Sequence, residues 1–141
     1  MNLEANLQAS TPTTPRVGVK LTASSGGVYL PDGNYRGMVT DIVSRAEASK
    51  ETGEVYDYID FAITEAVSKE TITVGFPARL TPRSDLGALF TAFGLMTPTP
   101  GTEVDLDAIF LGREVVFMAR NETNQHGTFT RVVKGSVRPA A

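Results

Sequence analysis

Residues 55–63 (VYDYIDFAI) alternate with a period of two, and this pattern constrains the fold more than any other feature of the chain. Successive side chains of a β-strand point to opposite faces, so the pattern predicts a half-buried strand. Ile59 and Phe61 then lie on an apolar face, and Tyr56 and Tyr58 lie on the opposite one. A chain with such a strand must place a sheet over one core.

Four further strands are predicted around this one. Residues 35–43 form a first strand after the Asp32-Gly33 turn, and the polar residues 44–54 form a loop between the two strands. Ile72, Val74 and Phe76 alternate in a third strand that Pro77 ends. Residues 114–120 and 128–137 form the last two strands, joined by a hairpin loop over residues 121–127.

A helix is predicted between the third and fourth strands. Ser84 is a favourable N-cap, Asp85 suits the positive end of a helix, and Gly94 is placed to end it. One apolar stripe at helical spacing comprises Leu86, Leu89, Phe90 and Phe93. A further helical turn is predicted from Leu106, Ile109 and Phe110.

Three strands, a helix and two strands follow one another in the order of the five-stranded OB barrel, where the helix covers one end. An open sheet packed on one helix fits the same pattern. Residues 1–16 are rich in Ser, Thr and Pro without an apolar period, so we expect a mobile N-terminal arm. Residues 17–141 are then a single mainly β domain, in line with a length of 141 residues.

Composition argues against an enzyme and against several kinds of metal site. The chain has no cysteine and a single histidine, His126, which excludes thiolate zinc sites and sites that need two imidazoles. His126 is predicted at an exposed hairpin tip, away from any group that would orient it for catalysis. Three acidic residues lie close together, and we interpret them as solvent-exposed charges at the start of a helix rather than as metal ligands: Glu103, Asp105 and Asp107. We therefore expect no catalytic or metal site.

The chain is also expected to be cytoplasmic, without contact with a membrane. It lacks a basic start followed by an apolar run, and its apolar stretches are too short to span a bilayer. The net charge of -3 argues against a surface that binds polyanions throughout, while a local basic groove stays compatible with it. Both a monomer and a homo-oligomer agree with the sequence.

The candidate site consists of aromatic and cationic residues on the predicted strands and in the first hairpin loop. Such a surface suits single-stranded nucleic acid, because bases stack on aromatic rings and cations follow the phosphates. Structural packing of strand aromatics is the competing interpretation. The stacking candidates are Tyr56, Tyr58 and Phe129, and the phosphate-binding candidates are Arg36, Arg45, Lys50 and Arg131.

Four segments resemble OB-fold single-stranded-DNA-binding proteins of bacteriophages. Residues 30–39 (LPDGNYRGMV) are similar to their opening strand, and residues 49–56 (SKETGEVY) to their first hairpin. Residues 86–95 (LGALFTAFGL) resemble their helix, and residues 105–115 (DLDAIFLGREV) the entry to their fourth strand. The order and spacing of the four segments, spread over residues 28–138, carry the resemblance.

This resemblance implies coating of single-stranded DNA during phage replication or recombination, in the host cytoplasm. It implies binding across the first three strands and the loops at their rim, without catalysis and without a cofactor. The chain ends in RPAA rather than an acidic partner-recruiting tail, so recruitment by that route is not expected. Two alternatives stay open: a structural or adaptor protein of a viral or other assembly, and a binder of small molecules or oligosaccharides.

Overall fold

A computed structural model describes residues 30–140 of the chain. The predicted arm, residues 1–16, lies outside the described residues. In chain order the elements are β1 (Gly33–Ala48), β2 (Val55–Glu65), β3 (Thr71–Pro77), α1 (Asp85–Ala92), α2 (Leu106–Phe110), β4 (Glu114–Asn124), β5 (Gly127–Val132), a 3-10 turn (Lys134–Ser136) and β6 (Arg138–Pro139).

The strands form one antiparallel sheet in the order β3-β2-β1-β4-β5, and β6 pairs with β4. The predicted mainly β architecture, with a helix between the third and fourth long strands, is confirmed. Closure into a barrel is not seen in the part of the chain that the structure describes. No ladder joins β3 to β5 there, although Cα atoms of these two edge strands come within 8 Å of each other.

A β-bulge at Thr40 divides β1 into two halves. Before it, Val39 pairs with Ile63, and after it Asp41 pairs with Ala62. Because the bulge adds one residue, the core-facing positions change from odd-numbered residues such as Val39 to even-numbered ones such as Ile42. The odd-numbered residues in the second half of β1, after the bulge, therefore face solvent.

Both hairpins are longer than the sequence predicted. β1 continues to Ala48, so the predicted loop 44–54 is reduced to residues 49–54. β4 continues to Asn124, so the predicted loop 121–127 is reduced to Gln125 and His126. No residue of these extensions is buried, and their strand structure comes from cross-strand hydrogen bonds that the apolar periodicity does not record.

The last predicted strand, residues 128–137, is wrong in its second half. β5 ends at Val132, and the 3-10 turn follows before the two-residue strand β6. Ser136 explains the change of direction, since its Oγ accepts a hydrogen bond from the Met118 backbone N–H at 2.8 Å. The chain is thereby anchored to β4 instead of extending β5.

The core lies between the sheet and the two helices. Ser84 caps α1 by accepting a hydrogen bond from the Gly87 N–H at 3.0 Å, and Gly94 follows the helix with a positive φ of 74°. Leu86, Leu89 and Phe90 are buried, as the predicted apolar stripe requires. Of the helices between residues 30 and 140, none is long and apolar enough to cross a lipid bilayer.

Candidate nucleic-acid interface

Tyr56 and Tyr58 lie on the outer face of β2, opposite the core face that Phe61 and Ile63 occupy. Tyr56 is 48% exposed, and Tyr58 is half-buried. The β1–β2 register places Tyr58 directly opposite Arg45. The two rings are therefore neighbours on a surface outside the core.

Arg45 is held by two carboxylates on this outer face. Its Nε donates to Asp60 Oδ2 at 2.7 Å, and one terminal nitrogen donates to Asp60 Oδ1 at 3.3 Å. The other terminal nitrogen donates to Glu47 Oε1 at 2.6 Å. The guanidinium carbon lies 4.6 Å from the centroid of the Tyr58 ring. The hydrogen bonds to Asp60 and Glu47 raise the pKa of Arg45 above its ordinary value, so the charge is permanent.

A groove of about 580 Å³ adjoins the tyrosines, between the start of β2 and the loop from β3 to α1. Arg79 and Arg83 line it, and neither has a carboxylate within 4.0 Å among the residues the structure describes. Asp57 and Asp85 also line the groove, and Asp85 lies 3.5 Å from Lys134 Nζ. Two free guanidinium groups beside two aromatic rings form a surface that fits a nucleotide strand.

Sequence reasoning missed Arg79 and Arg83. Both lie in the segment 77–84 (PARLTPRS), which reads only as a connection between a strand and a helix. Their spacing in a proline-containing loop was the available signal. Their position beside Tyr56 depends on how this loop packs against the end of β2, which no local pattern encodes.

Lys50 stands at the tip of the β1–β2 hairpin, beyond the two tyrosines. The tip is ordered by backbone hydrogen bonds from Ser49 to Glu54 and from Gly53 to Ser49, at 2.8 and 2.9 Å. Lys50 is exposed and has no carboxylate within 4.0 Å in the described range. It is available for a phosphate at the same end of the sheet as the groove.

Phe129, Arg131 and Arg36 lie elsewhere on the outer face. Phe129 is half-buried opposite Glu122, and Arg131 pairs with the same Glu122 at 2.6 Å. Arg36, at the other end of β1 from Arg45, lies 3.7 Å from Glu114. These two ion pairs are exposed and therefore weak.

The structure does not bring the seven predicted residues into one compact site. We expected a closed barrel to bring the first, second and last strands near one another, but in this sheet β4 separates β5 from β1. β1 pairs with Ala119 at Gly33 and with Tyr58 at Arg45. Arg45 is twelve residues further along β1 than Gly33, which corresponds to about 40 Å of extended strand. Tyr56, Tyr58, Arg45 and Lys50 form one group, and Phe129 and Arg131 form another.

The residues considered for catalysis or metal binding lie in a turn and at a helix start. His126 is exposed at the two-residue β4–β5 turn, as predicted. Asp105 caps α2 by accepting a hydrogen bond from the Ala108 N–H at 3.2 Å. Within residues 30–140, no cluster of three or more His, Asp or Glu side chains has a geometry that would hold a metal ion.

Comparison with known proteins adds no relative to this picture. No protein-family model matches the chain, and no curated protein sequence matches it.

Proposed function

We propose that this protein binds single-stranded DNA without sequence preference and without catalysing a reaction, as in phage replication or recombination. One observation carries the proposal: Tyr56 and Tyr58 lie outside the core, beside a groove lined by Arg79 and Arg83. Rings supply stacking surfaces to which any base can bind, and the unpaired guanidinium groups supply phosphate contacts.

The topology supports the same proposal. In the OB barrel the first strand pairs with the second and fourth, and the third and fifth strands meet at the seam. Here β1 pairs with β2 and β4, and the edges of β3 and β5 approach each other. We propose an OB-type fold that is open at this seam. Its β1–β2 hairpin and its loop before α1 border the proposed binding surface.

The charge distribution predicts binding that is strongly sensitive to salt. The net charge of -3 gives little long-range attraction for DNA. Attraction then depends on Arg79, Arg83 and Lys50, partly opposed by Asp57 near the groove. Each phosphate contact contributes about -0.7 to the slope of log affinity against log salt concentration.

The test is a fluorescence-anisotropy titration of a labelled homopolymer DNA strand at two salt concentrations. Tyr56→Ala and Tyr58→Ala should each weaken binding by about 1–3 kcal/mol if the rings stack on bases. Tyr56→Phe and Tyr58→Phe keep the rings and serve as matched controls that should bind like the parent. If both alanine variants stay folded and bind like the parent, the tyrosines only pack the sheet and this site is wrong.

The cations are tested in the same assay through the salt slope. Arg79→Ala, Arg83→Ala and Lys50→Ala should each make the slope shallower by about 0.7. Arg36→Ala and Arg131→Ala test whether the DNA also contacts the surface near the start of β1 and on β5. A phosphate contact at either residue would make the salt slope of its alanine variant shallower by about 0.7. Absence of binding by the parent at low salt would reject the DNA proposal and favour the adaptor role.

A further inference from the structure

We propose that Arg45 is a positioning residue that neutralises Asp60 and Glu47 beside the stacking tyrosines and holds the Tyr58 ring, without itself contacting a phosphate. This inference rests on the proposed function of the same surface. It assigns Arg45 a different role from the phosphate contact that its residue type alone predicts.

The hydrogen bonds of Arg45 leave its guanidinium committed to protein partners. Three of its nitrogens already donate to carboxylate oxygens, two to Asp60 and one to Glu47. The two contacts with Asp60 have the bidentate form that guanidinium and carboxylate groups favour. A phosphate that approached the two remaining N–H donors would lie beside both carboxylates, which repel it.

The two carboxylates explain why a cation is needed here. Glu47 is directly opposite Tyr56 in the β1–β2 ladder, and Asp60 follows Tyr58 by two residues on the same face. Without Arg45, two negative charges would stand next to the rings on which bases are proposed to stack. Like charges placed against each other oppose association, so these carboxylates would repel the DNA backbone.

Gly75 provides the space that the ion pair occupies. It is opposite Asp60 in the β2–β3 ladder. A Cβ atom at Gly75 would lie 2.7 Å from Asp60 Oδ1 and 3.3 Å from an Arg45 terminal nitrogen. The absence of a side chain on β3 therefore lets Arg45 and Asp60 lie against the sheet, where the guanidinium also contacts Tyr58.

The first experiment separates neutralisation from phosphate contact by removing all three charges. DNA binding is measured at several salt concentrations for the parent, Arg45→Ala, Asp60→Asn/Glu47→Gln, and the triple variant. Arg45→Ala should weaken binding by about tenfold, because it exposes two carboxylates. The triple variant should recover the parent's affinity to within about threefold, the remaining loss coming from the Tyr58 ring that Arg45 no longer contacts, and should keep the parent's salt slope. A triple variant that stays weak, with a slope shallower by about 0.7, would overturn the inference.

The second experiment moves the ion pair without changing any charge. Gly75→Ala should displace Asp60 and Arg45 and weaken DNA binding at an unchanged salt slope. Thr73→Ala, two residues away on the same face of β3, is the matched control and should bind like the parent. Circular dichroism and the thermal midpoint show whether each variant is folded. Parent-like binding by folded Gly75→Ala would contradict the inference.

The failure of the inference and the failure of the proposed function are distinguishable. If the parent does not bind DNA at low salt, both the proposed function and the proposed role of Arg45 are rejected. If the parent binds and Tyr58→Ala weakens binding, but removal of Asp60 and Glu47 charges does not rescue Arg45→Ala, only the role of Arg45 is wrong.

Discussion

Glu65, at the end of β2, buries a carboxylate that has backbone partners in the following turn. Its oxygens accept hydrogen bonds from the Val67 and Ser68 N–H groups at 2.9 and 2.7 Å, and its residue is only 4% exposed. Burial on its own would raise the pKa of Glu65. The two backbone hydrogen bonds, with help from the charge of Lys69, outweigh burial and lower the pKa below its ordinary value.

Glu65→Gln should therefore destabilise the protein by about 1–3 kcal/mol at neutral pH, because one partly buried backbone N–H loses its charged acceptor. A lowered pKa in the folded state means that the ionised carboxylate stabilises the fold above the unfolded-state pKa. This contribution disappears as pH falls through the folded-state pKa, so the two proteins should converge in acid. Urea unfolding at neutral and acidic pH measures the difference. Glu70→Gln, in the same turn but exposed, should unfold like the parent, and a pH-independent gap for Glu65→Gln would contradict the assignment.

At the scale of elements, the position of one groove wall depends on close packing between α1 and the loop before it. A Cβ atom at Gly87 would overlap the backbone oxygen of Thr81. Gly87→Ala should therefore force the loop away from the helix and destabilise the fold by about 1–3 kcal/mol. Because Arg79 and Arg83 are on this loop, the folded fraction should also bind DNA more weakly. Thermal unfolding and anisotropy measure the two effects.

Gly135→Ala is the control for this prediction, since a Cβ there would meet nothing within 4 Å. Equal stability of Gly87→Ala and the parent would show that the loop yields freely. In that case the groove wall is not set by the helix contact.

The sequence predicts elements well where one face is apolar and buried, and poorly where neither face is buried. Phe61, Ile63, Val74 and Leu89 mark strands and a helix because their burial gives the chain a period. Residues 44–48 and 121–124 lack such a period, so their strands follow from pairing alone.

The candidate site shows the same division. The outward orientation of Tyr56 and Tyr58 follows from alternation with Phe61. By contrast, the commitment of Arg45 to Asp60 depends on strand register, and the groove position of Arg83 depends on loop packing. Residue pattern specifies register only weakly where neither face of a hairpin is buried, as in residues 44–48, and loop packing is not a local property of the sequence.

For the whole molecule, Phe110 connects the sheet to both helices. Its ring lies 5.4 Å from Phe61, 5.5 Å from Phe90 and 5.0 Å from Phe93, each in an edge-to-face arrangement. Phe110→Ala should cost about 3–5 kcal/mol, a large share of the stability of a domain this size. Urea unfolding gives the value. Leu111 is 46% exposed, so Leu111→Ala is the neighbouring control and should lose little stability. A loss as small for Phe110→Ala would contradict the central position of Phe110 in the core.

Removal of residues 1–16 should leave the fold intact, because this segment lacks the apolar period needed to bury a face. The described fold begins at Leu30, whose backbone oxygen accepts a hydrogen bond from Asn121 Nδ2 at 2.9 Å. The truncated and full-length proteins should have the same thermal midpoint. A loss of many degrees would count against a dispensable arm and favour an adaptor whose arm docks on a neighbouring subunit.

The bulge at Thr40 makes the proposed binding surface sensitive to chain length as well as to residue type. It is the one extra residue that turns Arg45 toward Tyr58 rather than toward the core. Deletion of Thr40 would move each side chain of residues 41–48 to the opposite face of the sheet. Arg45 would then lie on the inner face, and its neighbours Ser44 and Ala46 on the outer face. Conservative substitutions along the hairpin therefore preserve the orientation of the binding residues, whereas deletion of one residue does not.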